Sequence, residues 1–268
     1  MREWQQEILR CPLDRAELEA EDTALRCVVC QRRFPLRDGI PSFVSPELAE
    51  QHEEEEWQRK QREMRARDAQ ARRYDRLIAL RLLSPIESRL TLRALRGEAG
   101  RFTLLAEVGC GTGRMLQHLA VLADYVVGVD FSLESLRRCR VRMQRAGFWE
   151  RTLLVHADAC FLPLASEALD AVASCQLVEH LPSDRLRQQM VSELARVLKT
   201  GGRYAISGYH WSWWVRWGGD KQGMHRGGIP YYRFTRQEFH ELLSRHLPVQ
   251  SLRSVAGYVW LASGAKEA

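Results

Sequence analysis

The sequence predicts an α/β protein built on a doubly wound, mostly parallel sheet. Three observations carry that expectation. Residues 104–108 form an apolar run that ends at Gly109-x-Gly111-x-Gly113, and then Met115, Leu116, Leu119 and Leu122 recur at helical spacing. Further apolar runs at 125–132, 153–163, 169–181 and 204–207 alternate with helical patterns, as βαβ units do. A length of 268 residues, 45% of them hydrophobic, provides for one large core with a small appendage.

Composition excludes several classes. No apolar stretch approaches a membrane span, and the N-terminus lacks signal-peptide features, so a cytoplasmic protein is expected. Seven cysteines are too few for a disulfide scaffold of this length. The net charge of +6 is basic, yet short of a nucleic-acid-coating protein. The charge is uneven: residues 59–96 carry 12 Lys/Arg against 4 Asp/Glu.

Residues 1–45 are expected to form a small β module. Cys27-x-x-Cys30 is one half of a zinc-ribbon knuckle, and Cys11 with Asp14 stands where the other half belongs. A carboxylate can ligate zinc, so Cys11, Asp14, Cys27 and Cys30 are a candidate metal set. A metal-free ribbon held by Phe34, Ile40 and Phe43 is the alternative. With its Asp38-Gly39-Ile40-Pro41 ending, the segment resembles the zinc-ribbon activators of tRNA methyltransferases, which also occur fused ahead of some bacterial methyltransferases.

Residues 46–97 read as a charged helical lid or linker. Trp57, Met64, Ala71 and Ile78 form a narrow apolar stripe on a helix expected to run from Pro46 to about Arg81, most of whose arginines face water. A second helix is expected to begin at Ser84-Pro85 and run to about Leu95.

The third segment, 98–268, holds the expected chemistry. Glycines let a chain turn sharply and let a ligand lie against main-chain amides. A dinucleotide fingerprint wants a small residue where Arg114 stands, which favours a smaller nucleoside ligand. Asp130, at the end of the next strand, suits the hydroxyls of a ribose, with Ser132 as the helix cap. Glu107-x-Gly109-x-Gly111-x-Gly113 resembles motif I of the class I S-adenosylmethionine-dependent methyltransferases, and the likeness extends over about residues 100–207. It implies a Rossmann-like sheet of seven strands and S-adenosylmethionine as cofactor. It also implies cofactor contacts from Glu107, Gly109, Cys110, Gly111, Gly113, Asp130, Phe131 and Cys175. By the same resemblance Asp158 binds the adenine amino group, the backbone of Ala159 meets the adenine, and Tyr74 of a Tyr-Asp pair closes the lid.

Lys199-Thr200-Gly201-Gly202 resembles the family's turn before its fifth strand, with glycine as the helix cap. Beyond it, Trp211, Trp213, Trp214 and Trp217 are too many for one helix face, and the insertion at about 208–234 is expected to line a pocket for a flat or hydrophobic acceptor. A protein contact or a membrane surface is the alternative. Thr235 with Glu238 reads as a capping box, and 249–255 and 258–263 as closing strands. The expected function is methyl transfer to an O, N or C nucleophile of a small molecule, with His210 and then His180 as candidate bases. An rRNA or tRNA methyltransferase gripping RNA through ribbon and basic helix is the competing enzyme, and a cofactor-binding scaffold that recruits a partner is the non-enzyme alternative.

Overall fold

The computed structural model describes residues 2–45, 51–74, 78–96, 100–213, 215–217, 219–225 and 228–267. The N-terminal module opens with helix α1 (Glu3–Ile8) and continues as an antiparallel meander, β1 (Leu18–Ala20), β2 (Ala24–Cys27), β3 (Arg33–Arg37) and β4 (Ile40–Pro41). The rings of Phe34 and Phe43 meet at 4.9 Å. The module shares a core with the rest of the chain: Leu9, Leu25, Phe34 and Phe43 pack in the same cluster as Leu153, Val155 and Leu164.

Two helices follow, α2 (Glu54–Tyr74) and α3 (Ile78–Arg96). The second begins six residues before the expected Ser84, so Pro85 lies inside a helix rather than at its start. Packing of Glu87, Ser88, Thr91 and Leu95, all buried, holds that helix against the domain despite the proline.

The main sheet has seven strands: β5 (Phe102–Val108), β6 (Ala123–Asp130), β7 (Thr152–His156), β8 (Leu169–Cys175), β9 (Leu198–Tyr209), β12 (Ser251–Val255) and β13 (Val259–Ala265). Their order is β12-β13-β9-β8-β5-β6-β7, and only β13 runs against its neighbours. The short hairpin β10 (Gln222–Met224) and β11 (Pro230–Tyr232) lies in the insertion. Buried Val, Leu and Ala on β5, β6 and β8 explain why those strands sit at the centre, with helices on both faces. From β5 the chain winds outward to β6 and β7, then returns to β8 on β5's other side. That reversal makes a switch point at the carboxyl end of β5.

Two expectations change in detail. The helix after the glycine loop, α4 (Leu116–Leu119), is a single turn, because β6 starts at Ala123. Helix α5 (Leu133–Arg145) is capped by Ser132, as expected. Gly201 is no helix cap: α6 (Asp184–Val197) ends on Leu198 in extended conformation. Gly201 takes φ +77° inside β9, where the register with β8 shifts. Helix α7 (Arg236–Ser244) has the full Thr235–Glu238 capping box.

Candidate active site

The carboxyl ends of β5, β6 and β8 form the floor of a cavity of about 930 Å³, partly open to solvent, and α2 forms its roof. Gly109, Gly111 and Gly113 adopt φ of +81°, +51° and +77°. A Cβ on Gly113 would lie 2.4 Å from Cys139 Sγ, and one on Gly109 2.9 Å from Leu177 Cδ2, so both positions need glycine.

The loop's amides are already used within the protein. Gly109 and Cys110 donate to Val129 O, Gly113 donates to Cys110 O, and Gly111 donates to Asp130 Oδ2 at 2.7 Å. With those donors spent and only one helical turn behind them, the loop is no phosphate cradle. The expectation of main-chain amides offered to a ligand is therefore corrected, and the carboxylate residues Glu63 and Asp130 line the cavity. That donor set suits a cationic, phosphate-free nucleoside.

Glu107 fits the same ligand. It is 2% exposed, and its Oε2 has no hydrogen-bond partner among the described residues. Burial raises its pKa well above the carboxylate range, reinforced by neighbouring acids and opposed by the charge of Arg114. A ligand ammonium would relieve that site. Beside it Glu87, from α3, accepts from Ser207 Oγ at 2.5 Å and from Gln176 Nε2 at 2.5 Å. Both acids line a smaller adjoining cavity with Cys110, Arg114, Cys175 and Gln176. The motif could not reveal Glu87, because it comes from a helix outside the span of the resemblance.

Asp130, Phe131, Ala159 and Cys175 line the main cavity. Asp130 also accepts from Ser132 N at 2.9 Å, which fixes its carboxylate at the strand end. Asp158 lines the cavity too, but its expected role needs correction. Lys60 Nζ lies 2.6 and 2.5 Å from its two oxygens, His52 Nε2 lies 3.0 Å away, and Cys160 N donates at 2.9 Å. Both oxygens carry two partners, leaving none for an adenine amino group in this arrangement. Desolvation would raise the Asp158 pKa, but the Lys60 ammonium overrides it and holds the carboxyl below its usual range.

The roof residues are Lys60, Glu63, Met64, Arg67 and Ala71, spaced as one helix face. Of the expected stripe, Met64 and Ala71 are there, while Trp57 packs on His52. The charged members were missed because charge on a helix reads as a wet face. The Tyr74 side chain lies outside the described residues.

Of the two candidate bases, only His180 lines this cavity, which reverses their order. His180 is 4% exposed, and its Nδ1 lies 2.7 Å from Pro230 O. A carbonyl only accepts, so Nδ1 carries the proton and Nε2 keeps its lone pair. Burial, then the charge of Arg67, push the His180 pKa well below its ordinary value. Glu179 Oε1 stands 3.9 Å from Nε2. His210 instead packs on Trp260, with Nδ1 3.0 Å from Ser254 Oγ. It lines a second cavity of about 790 Å³ with Tyr209, Val215, His225, Arg233 and Tyr258. Tyr209 stands between the two spaces, since its ring meets those of His180 at 5.6 Å and His225 at 5.9 Å.

In the N-terminal module the donor atoms of Cys11, Asp14, Cys27 and Cys30 all lie within 4.8 Å of one another. Cys11 Sγ is 3.8 Å from Cys30 Sγ, and Cys27 Sγ is 3.3 Å from Asp14 Oδ2. Tetrahedral zinc with thiolate and carboxylate ligands requires separations of about 3.3–3.8 Å, which these two pairs meet, and the four groups are near enough to close on the ion. The amides of Val29 and Cys30 donate to Cys27 Sγ, orienting the knuckle.

Sheet order, switch-point cavity and the carboxylates that line it are those of a Rossmann-like α/β fold with a ligand site at its switch point, and they resemble a class I, S-adenosylmethionine-dependent methyltransferase. More particularly, residues 106–206 match the family described as Methyltransferase domain, and residues 6–39 match the family described as Trm112p-like protein. Methyltransferase GfsG of Streptomyces halstedii is 35% identical over 102 residues, covering 38% of this chain and 36% of the relative. The 27-O-demethylrifamycin SV methyltransferase of Amycolatopsis mediterranei is 30% identical over 106 residues, covering 39% and 38%. The chain thus spans little more than a third of these relatives' length. Its fold is similar to a solved complex between the Haloferax volcanii Trm112 methyltransferase activator and a candidate methyltransferase, with a TM-score of 0.61 and 16% identity over 77% of this chain and 98% of the other. No helix among the described residues is long and apolar enough to cross a membrane.

Proposed function

We propose that the protein methylates a small aromatic or hydrophobic acceptor, with His180 as the base when the nucleophile is a hydroxyl. S-adenosylmethionine, when bound, supplies the electrophilic methyl group. Glu107 and Glu87 would hold its ammonium end, and Asp130 its ribose. The single observation that carries the acceptor reading is the placement of His180. It stands on the floor of the cofactor cavity, its Nδ1 proton committed to Pro230 O, and it meets Tyr209 of the aromatic second cavity. In this proposal the acceptor lies beside Tyr209 and turns its hydroxyl toward Nε2. Nε2 then takes the hydroxyl proton as the oxygen is alkylated. The protein's larger contribution is alignment of nucleophile and methyl in a water-poor space. The rifamycin relative, whose name gives it a small-molecule acceptor, supports this reading.

A second reading has its own support. Relatives whose names make them tRNA methyltransferases favour transfer to RNA. Incubation with labelled cofactor and separate small-metabolite, lipid and RNA fractions distinguishes the two. Label in the small-molecule or lipid fraction is the expected result, and label confined to RNA would overturn it. A scaffold would bind cofactor and label nothing.

A further inference from the structure

Asp158 stands in the wall of the cofactor cavity with every acceptor position filled. A carboxylate offers about four such positions on its two oxygens. Lys60 Nζ takes one on each, Cys160 N takes the second on Oδ1, and His52 Nε2 takes the second on Oδ2. The ammonium is equally committed, since its third hydrogen has Cys160 Sγ at 3.4 Å. A carboxylate only accepts, so His52 carries its proton on Nε2. The His52 ring packs against Trp57 and Phe161 and does not line the cavity. Burial would lower the Lys60 pKa, yet the Asp158 charge raises it above its ordinary value, and the pair stays ionised.

Helix α2 is pinned on both sides of Lys60. Toward its N-terminus, Glu56 accepts from Ser183 Oγ and from Arg185. Toward its C-terminus, Asp68 accepts from Ser132 Oγ at 2.5 Å and from Glu134 N at 3.3 Å. The amino group at the six-position of adenine is neutral. To reach Asp158 it would have to displace an ammonium and leave that charge buried without its partner, which costs more than a neutral donor returns. What lines the cavity beside the network is apolar or main chain: Phe131, whose ring centroid lies 6.0 Å from Lys60 Nζ, with Ala157 and Ala159. Such surfaces hold a purine by stacking and shape rather than by its amino group.

We propose that Lys60 takes the place of the adenine amino group at Asp158, so that the site binds its cofactor without reading the substituent at the purine six-position. The proposal rests on S-adenosylmethionine as the cofactor and is independent of which molecule is methylated. Lys60 is thereby the residue that sets the base tolerance of the site. A pocket built to hydrogen-bond a ligand group rejects the analogue that lacks it, whereas this one accepts it.

The experiment is calorimetric titration of the full chain with S-adenosylhomocysteine and with its 6-desamino analogue, in which purine replaces adenine. Affinities equal to within about threefold are expected, and a larger preference for S-adenosylhomocysteine would overturn the proposal. Lys60→Met frees Asp158, and a preference of about tenfold for the amino-bearing ligand is then expected to appear. A folded variant without that preference would overturn the role of Lys60. Should the variant not fold, the wild type answers directly by nuclear magnetic resonance with isotope-labelled lysine. Lys60 is the one buried lysine among the described residues, and its ammonium signal should persist when S-adenosylhomocysteine is added. Loss of that signal on binding would overturn the proposal. Binding of neither ligand would instead overturn the cofactor reading, and this proposal with it.

Discussion

Lys60 and Asp158 form a buried ion pair between the roof helix and the sheet, with Nζ 2.6 and 2.5 Å from the two carboxylate oxygens and both side chains at most 4% exposed. Removing one partner of such a pair strands the other charge. Lys60→Met is therefore expected to destabilise the protein by about 3 kcal/mol in urea unfolding, and Asp158→Asn by a similar amount. The double variant should cost clearly less than the sum. Additive losses would show that the two groups do not interact as described.

His156 supplies a pH-dependent contribution. Its Nε2 faces Phe131 O at 3.3 Å, so the ring is held as the Nε2–H tautomer and Nδ1 accepts from Ser42 Oγ at 2.8 Å. Burial lowers its pKa to about 4. The unfolded chain binds this proton near its ordinary value of about 6.5. Between those values the unfolded state holds more protons, so stability rises with pH across the window. The contribution is complete above about 6.5 and is lost progressively as pH falls to 4, by at most about 3 kcal/mol. Urea unfolding at pH 7 and 4.5 should show the loss, and His156→Gln should flatten it. An unchanged profile in that variant would remove His156 as its source.

Glu107→Gln should weaken cofactor binding about tenfold or more in calorimetry, because a charge-assisted contact to an ammonium is lost. It should leave the cofactor-free protein no less stable, since the buried Oε2 has no hydrogen-bond partner among the described residues to lose. Unchanged affinity would place the ammonium elsewhere.

His180→Gln should lower turnover of a hydroxyl acceptor by about 10²-fold or more, with cofactor affinity changed only a few fold. Raising the pH should partly restore the rate, because hydroxide then takes over the proton. A variant that turns over as the wild type does would exclude His180 as the base.

The N-terminal cluster should hold close to one zinc per chain by elemental analysis. Asp14→Cys should resist a chelator that strips the wild type, as four thiolates bind zinc more tightly than three with a carboxylate. Wild-type protein that purifies metal-free and fully folded would remove zinc from the account.

The sequence made much of this legible, in proportion to how local the physics is. The glycine loop, Asp130 and the Ser132 and Thr235 caps depend on neighbours within a few residues, and each lies where its pattern indicated. The Lys60–Asp158 and Glu87–Ser207 contacts join residues about a hundred apart, and no periodicity encodes such partners. Charged residues on one face of α2 read as solvated until a cavity stands beneath them. In the sequence His210 and His180 both lie just after strand ends, with His210 ranked first. Only the three-dimensional path of the insertion, which brings Pro230 O to His180, separates them.

The ribbon's last residues have one more consequence. Ser42 pairs in parallel with His156 on β7, the outermost strand of the sheet, and Phe43 N donates to His156 O at 2.8 Å. Leu9 pairs with Leu164 just beyond that strand. An open sheet edge is a template on which other chains add, and here the ribbon occupies part of it. A lesion in the ribbon, whether a lost metal or a truncation, would therefore bare that edge, and its first symptom would be aggregation of the protein rather than a poorer catalyst.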